Sequence, residues 1–219
     1  MARTFYDSLG LNEDIQLDLS MLEATGEITH DESDNHIIAT RHGTGSSPLW
    51  MQLSAGRYGI ELRNIRLGGA WIGQQYLDAP AATTAALDFT ATDYSLAIWF
   101  YWSWTGFSSI LFGKYVVDVR GWEVYLHQAL GVETLTVRHH HGGTRTATYS
   151  EGWVTSEWHL WSYSRIGANA YHYRDGELIP TIGPVLLDPA SSAASDLIIG
   201  KRYTARPFYA GGHRRNHAR

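Results

Sequence analysis

Three consecutive histidines, His139, His140 and His141, are among the residues of this chain that could do chemistry. Side chains alternate across a strand, so His139 and His141 would share one face and could bind a transition metal if a third ligand came from a neighbour. The other interpretation, which we favour, is a polar strand end before the Gly142-Gly143 turn. With a reference pKa of about 6.5, these rings are expected to be mostly neutral at pH 7.

A cluster of oxygen-bearing side chains, Asp31, Asp34 and Asn35, falls in a loop-like segment. Carboxylate and carbonyl oxygens are the ligands that calcium prefers, which makes these three residues the candidate metal site. Asp and Asn also bond to their own backbone in turns, and we favour that simpler interpretation. The sequence therefore predicts no cofactor but leaves calcium open.

One strand pattern separates two kinds of side chain. Leu96, Ile98 and Phe100 fall on one face, and Trp99 and Tyr101 fall on the other. If the first face fills the core, the second lies on the outer surface, where aromatic rings can stack on sugars or anchor a protein interface. Long loops could equally cover them. Trp99 and Tyr101 are therefore candidate ligand-binding residues, with both interpretations open.

Common catalytic motifs are missing from the sequence. No G-x-S-x-G elbow occurs, and Gly113-Lys114 is followed by Tyr115 rather than Ser or Thr, so there is no phosphate loop. The chain has no cysteine, which excludes disulfides, thiolate zinc sites and cysteine nucleophiles. We predict no catalytic residue and no enzymatic activity.

The elements that must position these side chains are strands. Period-2 alternation and turn residues dominate, and no segment has the pattern of a long amphipathic helix. Gly142-Gly143 and Asp175-Gly176 fall between strands, where two-residue turns need positive φ. Segments 31–47 and 79–86 are predicted as loops. Strands are predicted at residues 15–19, 59–65, 94–104, 109–112, 122–127, 134–141, 144–150, 158–166, 170–174 and 197–200.

Composition fits one soluble all-β domain of 219 residues. The aromatic fraction of 13% can fill a core between two sheets and leave rings over for a binding face. No secretory signal opens the chain, and no run approaches the ~20 apolar residues of a membrane span. The net charge of −5 combines an acidic body with a tail, residues 201–219, that has six basic residues and no acid. A nucleic-acid partner is not expected, because the acidic body repels phosphate.

Several blocks, taken in order, carry a resemblance to a known fold family. They are DLSMLEATGEITHDESDN (18–35), QYLDAP (75–80), LDFTATDYSLAIWFYW (87–102), GWEVYL (121–126), EWHLWSYSRIGANAYHYRDGELI (157–179) and DLIIGKR (196–202). Their order and spacing resemble the concanavalin A-like lectin/glucanase superfamily and, within it, the laminin G-like, pentraxin-type jelly rolls. The resemblance implies an all-β fold, a two-sheet antiparallel β-sandwich over residues 11–212. An N-terminal arm (1–10) and a basic C-terminal tail (213–219) would flank it.

The sequence departs from this family at its end. Family members usually follow the "L-x-I-G" strand with a last strand beside the first, whereas here FYAGG (208–212) is followed by HRRNHAR. A missing closing strand leaves an open sheet edge, which proteins normally cover. We therefore predict that another protein chain covers residues 15–19 by strand addition.

The resemblance also raises the question of glycoside hydrolysis. Glucanases of this superfamily carry two carboxylates on one strand, in an E-x-D-x-E or E-x-D-x-x-E arrangement. The nearest match, Glu32-Ser33-Asp34, is followed by His36 and Ile37 at the positions where the second acid would stand. A β-glucanase-like activity is therefore the least favoured function.

The predicted function follows from the fold and from the absence of a signal peptide. Such sandwiches usually work outside the cell, and a virion component reaches the outside by lysis. We predict a non-enzymatic virion structural protein, a capsid-decoration or appendage subunit on the virion surface whose partners are capsid or homo-oligomer neighbours. The alternative is an extracellular carbohydrate-binding, lectin-like module that recognises a glycan through Trp99 and Tyr101.

Overall fold

Sixteen strands and a single 3-10 turn make up the ordered elements of the described residues. The computed structural model describes residues 15–43, 48–55, 57–62, 65–67, 70–103, 108–129, 131–183 and 185–201, with residues 65–67, 70–73 and 129 described by their backbone. The strands are β1 (Ile28–His30), β2 (Ile38–Gly43), β3 (Leu49–Ser54), β4 (Arg57–Glu61), β5 (Ile65–Leu67), β6 (Ala70–Gly73), β7 (Gln75–Ala79), β8 (Tyr94–Tyr101), β9 (Ser109–Val116), β10 (Arg120–Ala129), β11 (Val132–His141), β12 (Thr144–Glu151), β13 (Trp158–Ile166), β14 (Asn169–Arg174), β15 (Glu177–Ile179) and β16 (Leu197–Ile199).

These strands form two large antiparallel sheets. The eight-stranded sheet has the order β1-β2-β7-β16-β9-β10-β11-β12, and the four-stranded sheet has the order β15-β14-β13-β8. The hairpins β3-β4 and β5-β6 form two further pairs. This arrangement confirms the predicted all-β antiparallel sandwich. Among the described residues, no helix is long and apolar enough to cross a membrane.

The tight turns lie where the glycines predicted them. Gly142 and Gly143, between β11 and β12, have φ of 64° and 94°, and Asp175-Gly176, between β14 and β15, has φ of 53° and 90°. Glycine adopts this left-handed region without steric cost. These turns fix the register of the hairpins on either side, and through it the face on which each side chain lies.

The core lies between the inner faces of the two sheets. Trp122 and Val124 of β10 and Trp161 and Tyr163 of β13 are all at most 1% exposed. Phe112 of β9 contacts Trp161 across the gap, with ring centroids 6.4 Å apart. Burying a large apolar side chain stabilises the fold by roughly 1.5–3 kcal/mol, so these side chains hold the two sheets together.

The predicted opening strand at residues 15–19 is wrong. This segment contributes one isolated bridge between Leu19 and Asp31 and no ladder. It is held instead by the backbone N–H of Asp18, which donates to the Asp31 carboxylate, and by Glu32, whose N–H donates to the Asp18 carbonyl. The apolar alternation of this segment is real, because Leu17 and Leu19 pack against the core, but packing alone does not make a strand.

The prediction of a loop at residues 31–47 is also wrong in part, because β2 occupies Ile38–Gly43. Ala39 is its one fully buried residue, so the strand has no apolar alternation for a pattern to detect. The predicted arm at residues 1–10, the tail at 213–219 and the missing closing strand lie outside the described residues. Strand addition by a partner chain stays a prediction, but residues 15–19 form no strand and so do not provide the sheet edge on which it was placed.

Candidate functional site: the outer face of the four-stranded sheet

The strand β8 presents Trp99 and Tyr101 on one face, as the alternation predicted, and that face is exposed rather than covered by loops. Trp99 is 63% exposed and Tyr101 48%, whereas Phe100 between them is 6% exposed and packs in the core. Leu96 and Ile98 pack against the same core. The two rings are therefore exposed on a strand whose other face is fixed by packing.

The neighbouring strand β13 adds a third large ring to this face. Trp158 pairs with Tyr101 in the sheet register and is 46% exposed. The two rings lie 5.7 Å apart, centroid to centroid, at 53° to one another. We call Trp99, Tyr101 and Trp158 the tryptophan patch. Residues 157–179 carry part of the family resemblance, but no local pattern places Trp158 in a surface cluster with residues of β8.

Farther along the sheet the outer face changes character. Tyr171 and Tyr173 of β14, which we call the tyrosine patch, lie opposite Ser164 and Ser162 of β13. Tyr171 is 37% exposed. Ser164 also lies opposite Ser95 of β8, and their hydroxyl oxygens are 3.0 Å apart. The face thus combines two groups of rings with a band of hydroxyls.

Charge is missing from the described outward positions of these strands. Alternation places apolar, hydroxyl or amide side chains at every outward position of β8, β13, β14 and β15. Asp175 borders the face at the β14-β15 turn, but its carboxylate accepts the Leu160 N–H at 2.8 Å and lies 3.1 Å from His159 Nδ1. These contacts lower the pKa of Asp175 and engage both of its oxygens. The face suits an uncharged ligand.

The histidine run is divided between two environments. His139 is fully buried in the core, where its Nδ1–H donates to the Leu187 carbonyl at 2.6 Å and its Nε2 accepts from the Tyr94 hydroxyl at 2.7 Å. Burial lowers its pKa to about 4. His141 lies 3.0 Å from the Asp188 carbonyl through Nδ1. The interpretation of a polar strand end is therefore wrong for His139, which is a hydrogen-bonded core histidine.

The candidate calcium residues lie in a turn. Asp31 is 4% exposed, and its carboxylate accepts the N–H groups of Asp18, Ser33 and Ile37 and the Ser33 hydroxyl. Asn35 donates its side-chain amide to the Gln16 carbonyl. Asp34 is exposed. A calcium ion would have to compete with the donors on Asp31, so calcium binding at Asp31, Asp34 and Asn35 stays a prediction without structural support.

Within the part of the chain that the structure describes, no group of three or more His, Asp or Glu side chains is placed to hold a metal ion. Glu32, Ser33 and Asp34 lie in the turn that follows β1 rather than on a strand. Residues 32–34 therefore do not present carboxylates on one strand face as the glucanase pattern would.

A second cluster, which sequence reasoning missed, lies on the outer face of the eight-stranded sheet. Glu123 of β10 is 0% exposed, accepts from Arg138 Nη1 at 3.1 Å and lies 3.2 Å from His140 Nε2. Arg138 also donates to the Tyr125 hydroxyl, and its guanidinium lies 4.5 Å from the centre of that ring. Glu123 and Tyr125 are two residues apart on one strand, and Arg138 and His140 on the next, so alternation could have grouped them.

This buried cluster has a defined proton arrangement. The backbone N–H of Asp118 donates to His140 Nδ1 at 3.1 Å, which leaves Nε2–H to donate to Glu123. Tyr115 stacks on the His140 ring with centroids 5.6 Å apart. Because Glu123, His140 and Tyr115 have no exposed surface, the cluster acts within the fold rather than on a ligand.

No protein-family model matches this chain, and neither does any curated protein sequence. Among solved structures, the chain is similar to the enzymatically active domain of tailspike protein 2 of bacteriophage CBA120, with 11% identity over 76% of this chain and 26% of that one and a TM-score of 0.49. It therefore spans about a quarter of the length of that tailspike chain. The carbohydrate-binding module CBM66 of Bacillus subtilis is similar over 73% of this chain and 87% of that module, with 7% identity and a TM-score of 0.38.

A β-glucanase of Bacillus licheniformis is similar over 80% of this chain and 69% of that enzyme, with 9% identity and a TM-score of 0.36. Likenesses of this extent carry no argument about function, because one sandwich fold hosts many functions. The described strands form an all-β antiparallel sandwich, and membership of the concanavalin A-like superfamily stays a prediction. The laminin G-like subtype stays a prediction.

Proposed function

We propose that this chain is a non-enzymatic binding module that recognises a glycan through the outer face of its four-stranded sheet. The observation that carries the proposal is the tryptophan patch, in which Trp99, Tyr101 and Trp158 lie side by side with 63%, 48% and 46% of their surfaces exposed. Soluble proteins normally bury such rings, and a group of them on an open sheet marks an interaction site.

The chemistry of the face supports a sugar as the ligand. Aromatic rings offer large, rigid apolar surfaces on which the C–H face of a sugar can pack. The nearby hydroxyls of Ser95, Ser162 and Ser164 can donate to and accept from sugar hydroxyls. An uncharged, ring-rich surface with adjacent hydroxyls matches a polyhydroxylated ligand better than a charged one.

Binding without cleavage is part of the proposal. Glycoside hydrolysis generally needs two carboxyl groups on either side of the scissile bond. The described outward positions of this sheet have none, and the carboxylate of Asp175 at its border is engaged by Leu160 and His159. A ligand on this face would therefore be held and released unchanged.

A pull-down on insoluble polysaccharides, followed by a glycan array, tests the proposal. We expect binding of the intact chain and a loss of about tenfold or more in affinity for Trp99→Ala, since exposed anchor rings contribute at least about 1.4 kcal/mol. Leu22→Ala is the matched control, because Leu22 is also large, apolar and 59% exposed but lies outside this sheet. Equal binding by both variants and the wild type would overturn the proposal.

A second candidate is a virion structural subunit that uses the same face, or an edge of the sandwich, for protein–protein contacts. The observation that favours it is the extension of the apolar surface to Ile166 (57% exposed) and Leu178 (62% exposed) at the outward positions of β13 and β15. Trp and Tyr are also frequent anchors of protein interfaces. Electron microscopy of the source material would test it: the protein must be seen on particles, and its absence from them would reject this candidate.

A further inference from the structure

The two ring groups on the outer face lie at opposite ends of one rigid surface. The tryptophan patch occupies the end of β8 and the start of β13. The tyrosine patch lies on β14, the strand beyond β13, and is displaced along the strand direction by two to three side-chain positions of the same face. Strands are about 4.8 Å apart and residues on one face about 6.7 Å apart along a strand. These spacings put the patch centres roughly 16 Å apart.

The surface between the patches can accept a ligand that runs from one to the other. Ala97 of β8 and Ser162 of β13 lie opposite each other there, and Leu160 borders the tryptophan patch. Ala and Ser are small side chains that leave room for a ligand between the patches. Nothing charged stands at the described outward positions between the patches, so an uncharged chain could lie across them without desolvating an ion.

We propose that the ligand is a linear, uncharged oligosaccharide, several sugar units long, that lies diagonally across β8, β13 and β14 and contacts both patches. This inference rests on the proposed glycan-binding function. A single sugar or a disaccharide would contact one patch at a time, whereas a longer chain places rings of both patches on sugars of one molecule. The absence of charge on the face distinguishes this ligand from uronic-acid or sulfated glycans.

Joining the two patches by one ligand has a measurable consequence. Once one patch is occupied, the second contact is intramolecular, so its effective concentration is high and the overall affinity exceeds that of either contact. The sheet is already ordered by its core, and the protein therefore loses little conformational freedom on binding. Affinity should rise with chain length until both patches are spanned and then level off.

The experiment uses the whole chain and an array of linear oligosaccharides, from disaccharide to octasaccharide, in uncharged and uronate series. We expect a hexasaccharide of the preferred uncharged series to bind at least about tenfold more tightly than its disaccharide. Tyr171→Ala should remove most of that advantage, and Tyr171→Phe, which keeps the ring, should restore most of it. Trp99→Ala should weaken both ligands. Thermal unfolding of each variant establishes that it is folded.

The outcomes separate this inference from the proposed function. If disaccharide and hexasaccharide bind equally and Trp99→Ala weakens both, the glycan function holds and the extended ligand is rejected. If the uronate series binds more tightly than the uncharged series, the uncharged ligand is rejected. If no oligosaccharide binds, both proposals fail. They also fail if a partner protein binds this face and glycans do not.

Discussion

The two outer faces of this sandwich treat polar and aromatic groups in opposite ways. On the eight-stranded sheet, Glu123, His140 and Tyr115 have no exposed surface although the first two are polar or ionisable. On the four-stranded sheet, Trp99 and Tyr101 are about half or more exposed although they are large and aromatic. Both arrangements reverse the usual distribution of such residues.

The difference indicates which outer face can bind a ligand and which one serves the stability of the fold. A buried carboxylate that accepts from an arginine and a histidine stabilises the fold only while all partners are present, and it offers nothing to a ligand. Exposed rings contribute little to the stability of the fold. They contribute free energy to binding when a ligand removes their apolar surface from water. Mutations on the first face should therefore change stability, and mutations on the second should change binding.

The largest expected effect comes from Glu123→Ala. Removal of the carboxylate leaves Arg138 and His140 without their shared acceptor in a buried site, and breaking such a pair typically costs about 3–5 kcal/mol. Urea unfolding of the variant measures the loss. Trp99→Ala is the counterpart on the other face and should change the free energy of unfolding by no more than about 0.5 kcal/mol. Equal losses in the two variants would remove the contrast between the faces.

Acid should destabilise the protein through two core histidines before it affects the carboxylates. Burial lowers the pKa of His139 and of His172 to about 4, whereas both should titrate near 6.5 when unfolded. The unfolded chain therefore binds more protons between these values. The contribution of these two histidines to the free energy of unfolding is fully present above about pH 6.5. It is lost as the pH drops toward 4, by on the order of 3 kcal/mol for each histidine.

Urea midpoints measured at pH 7, 5.5 and 4 test this window. His172→Phe removes one of the two titrating groups, and it should reduce the loss of stability between pH 7 and 4 by about half. His172 lies against Trp161, Ser150 and Thr148, so the variant also loses stability at pH 7, and the slope with pH is the quantity to compare. An unchanged slope would contradict the assignment. The carboxylates of Glu23 and Asp88, whose pKa values are lowered, contribute to the loss of stability only at lower pH.

A subtler test of the buried cluster is Arg138→Lys. The arginine donates to both Glu123 and Tyr125 and lies over the Tyr125 ring, and a lysine ammonium cannot make all three contacts from one position. We expect a loss of about 1–2 kcal/mol in the free energy of unfolding. Differential scanning calorimetry would measure it. Arg145→Lys, at an exposed pair with Asp118, is the control and should have almost no effect.

The smallest expected effect is Ser164→Ala on the outer face of the four-stranded sheet. Its hydroxyl lies 3.0 Å from that of Ser95 in an exposed position, where a hydrogen bond competes with water. Stability should change by no more than about 0.5 kcal/mol. If this hydroxyl binds the proposed glycan, affinity falls while stability does not, and isothermal titration measures that difference.

Much of the fold could be predicted because its signals are local. The alternation in residues 158–166 and the Asp175-Gly176 turn predicted β13 and the turn that the structure shows. The placement of Trp99 and Tyr101 on one face followed from the same period of two. The strand at Ile38–Gly43 could not be predicted, because its place depends on pairing with β1 and β7 rather than on its own sequence.

The site could be predicted only in part for the same physical reason. Trp99 and Tyr101 are neighbours on one strand, so the sequence alone placed them together. Trp158 joins them through the pairing of β13 with β8, and Glu123 meets Arg138 and His140 through the pairing of β10 with β11. Alternation places Glu123 with Tyr125, and Arg138 with His140, on one face of each strand, but only the pairing of distant strands brings the partners into contact.

The sequence by itself determined that this chain is built from strands joined by tight turns and that Trp99 and Tyr101 share one face of β8, because alternation and turn chemistry act over a few residues. The tertiary structure decided that Trp99 and Tyr101 stay uncovered and that His139 becomes a core residue with its pKa lowered to about 4. It also decided that Glu123 is buried among its partners. Exposure and burial depend on which distant strands pack together, and only the folded chain fixes that.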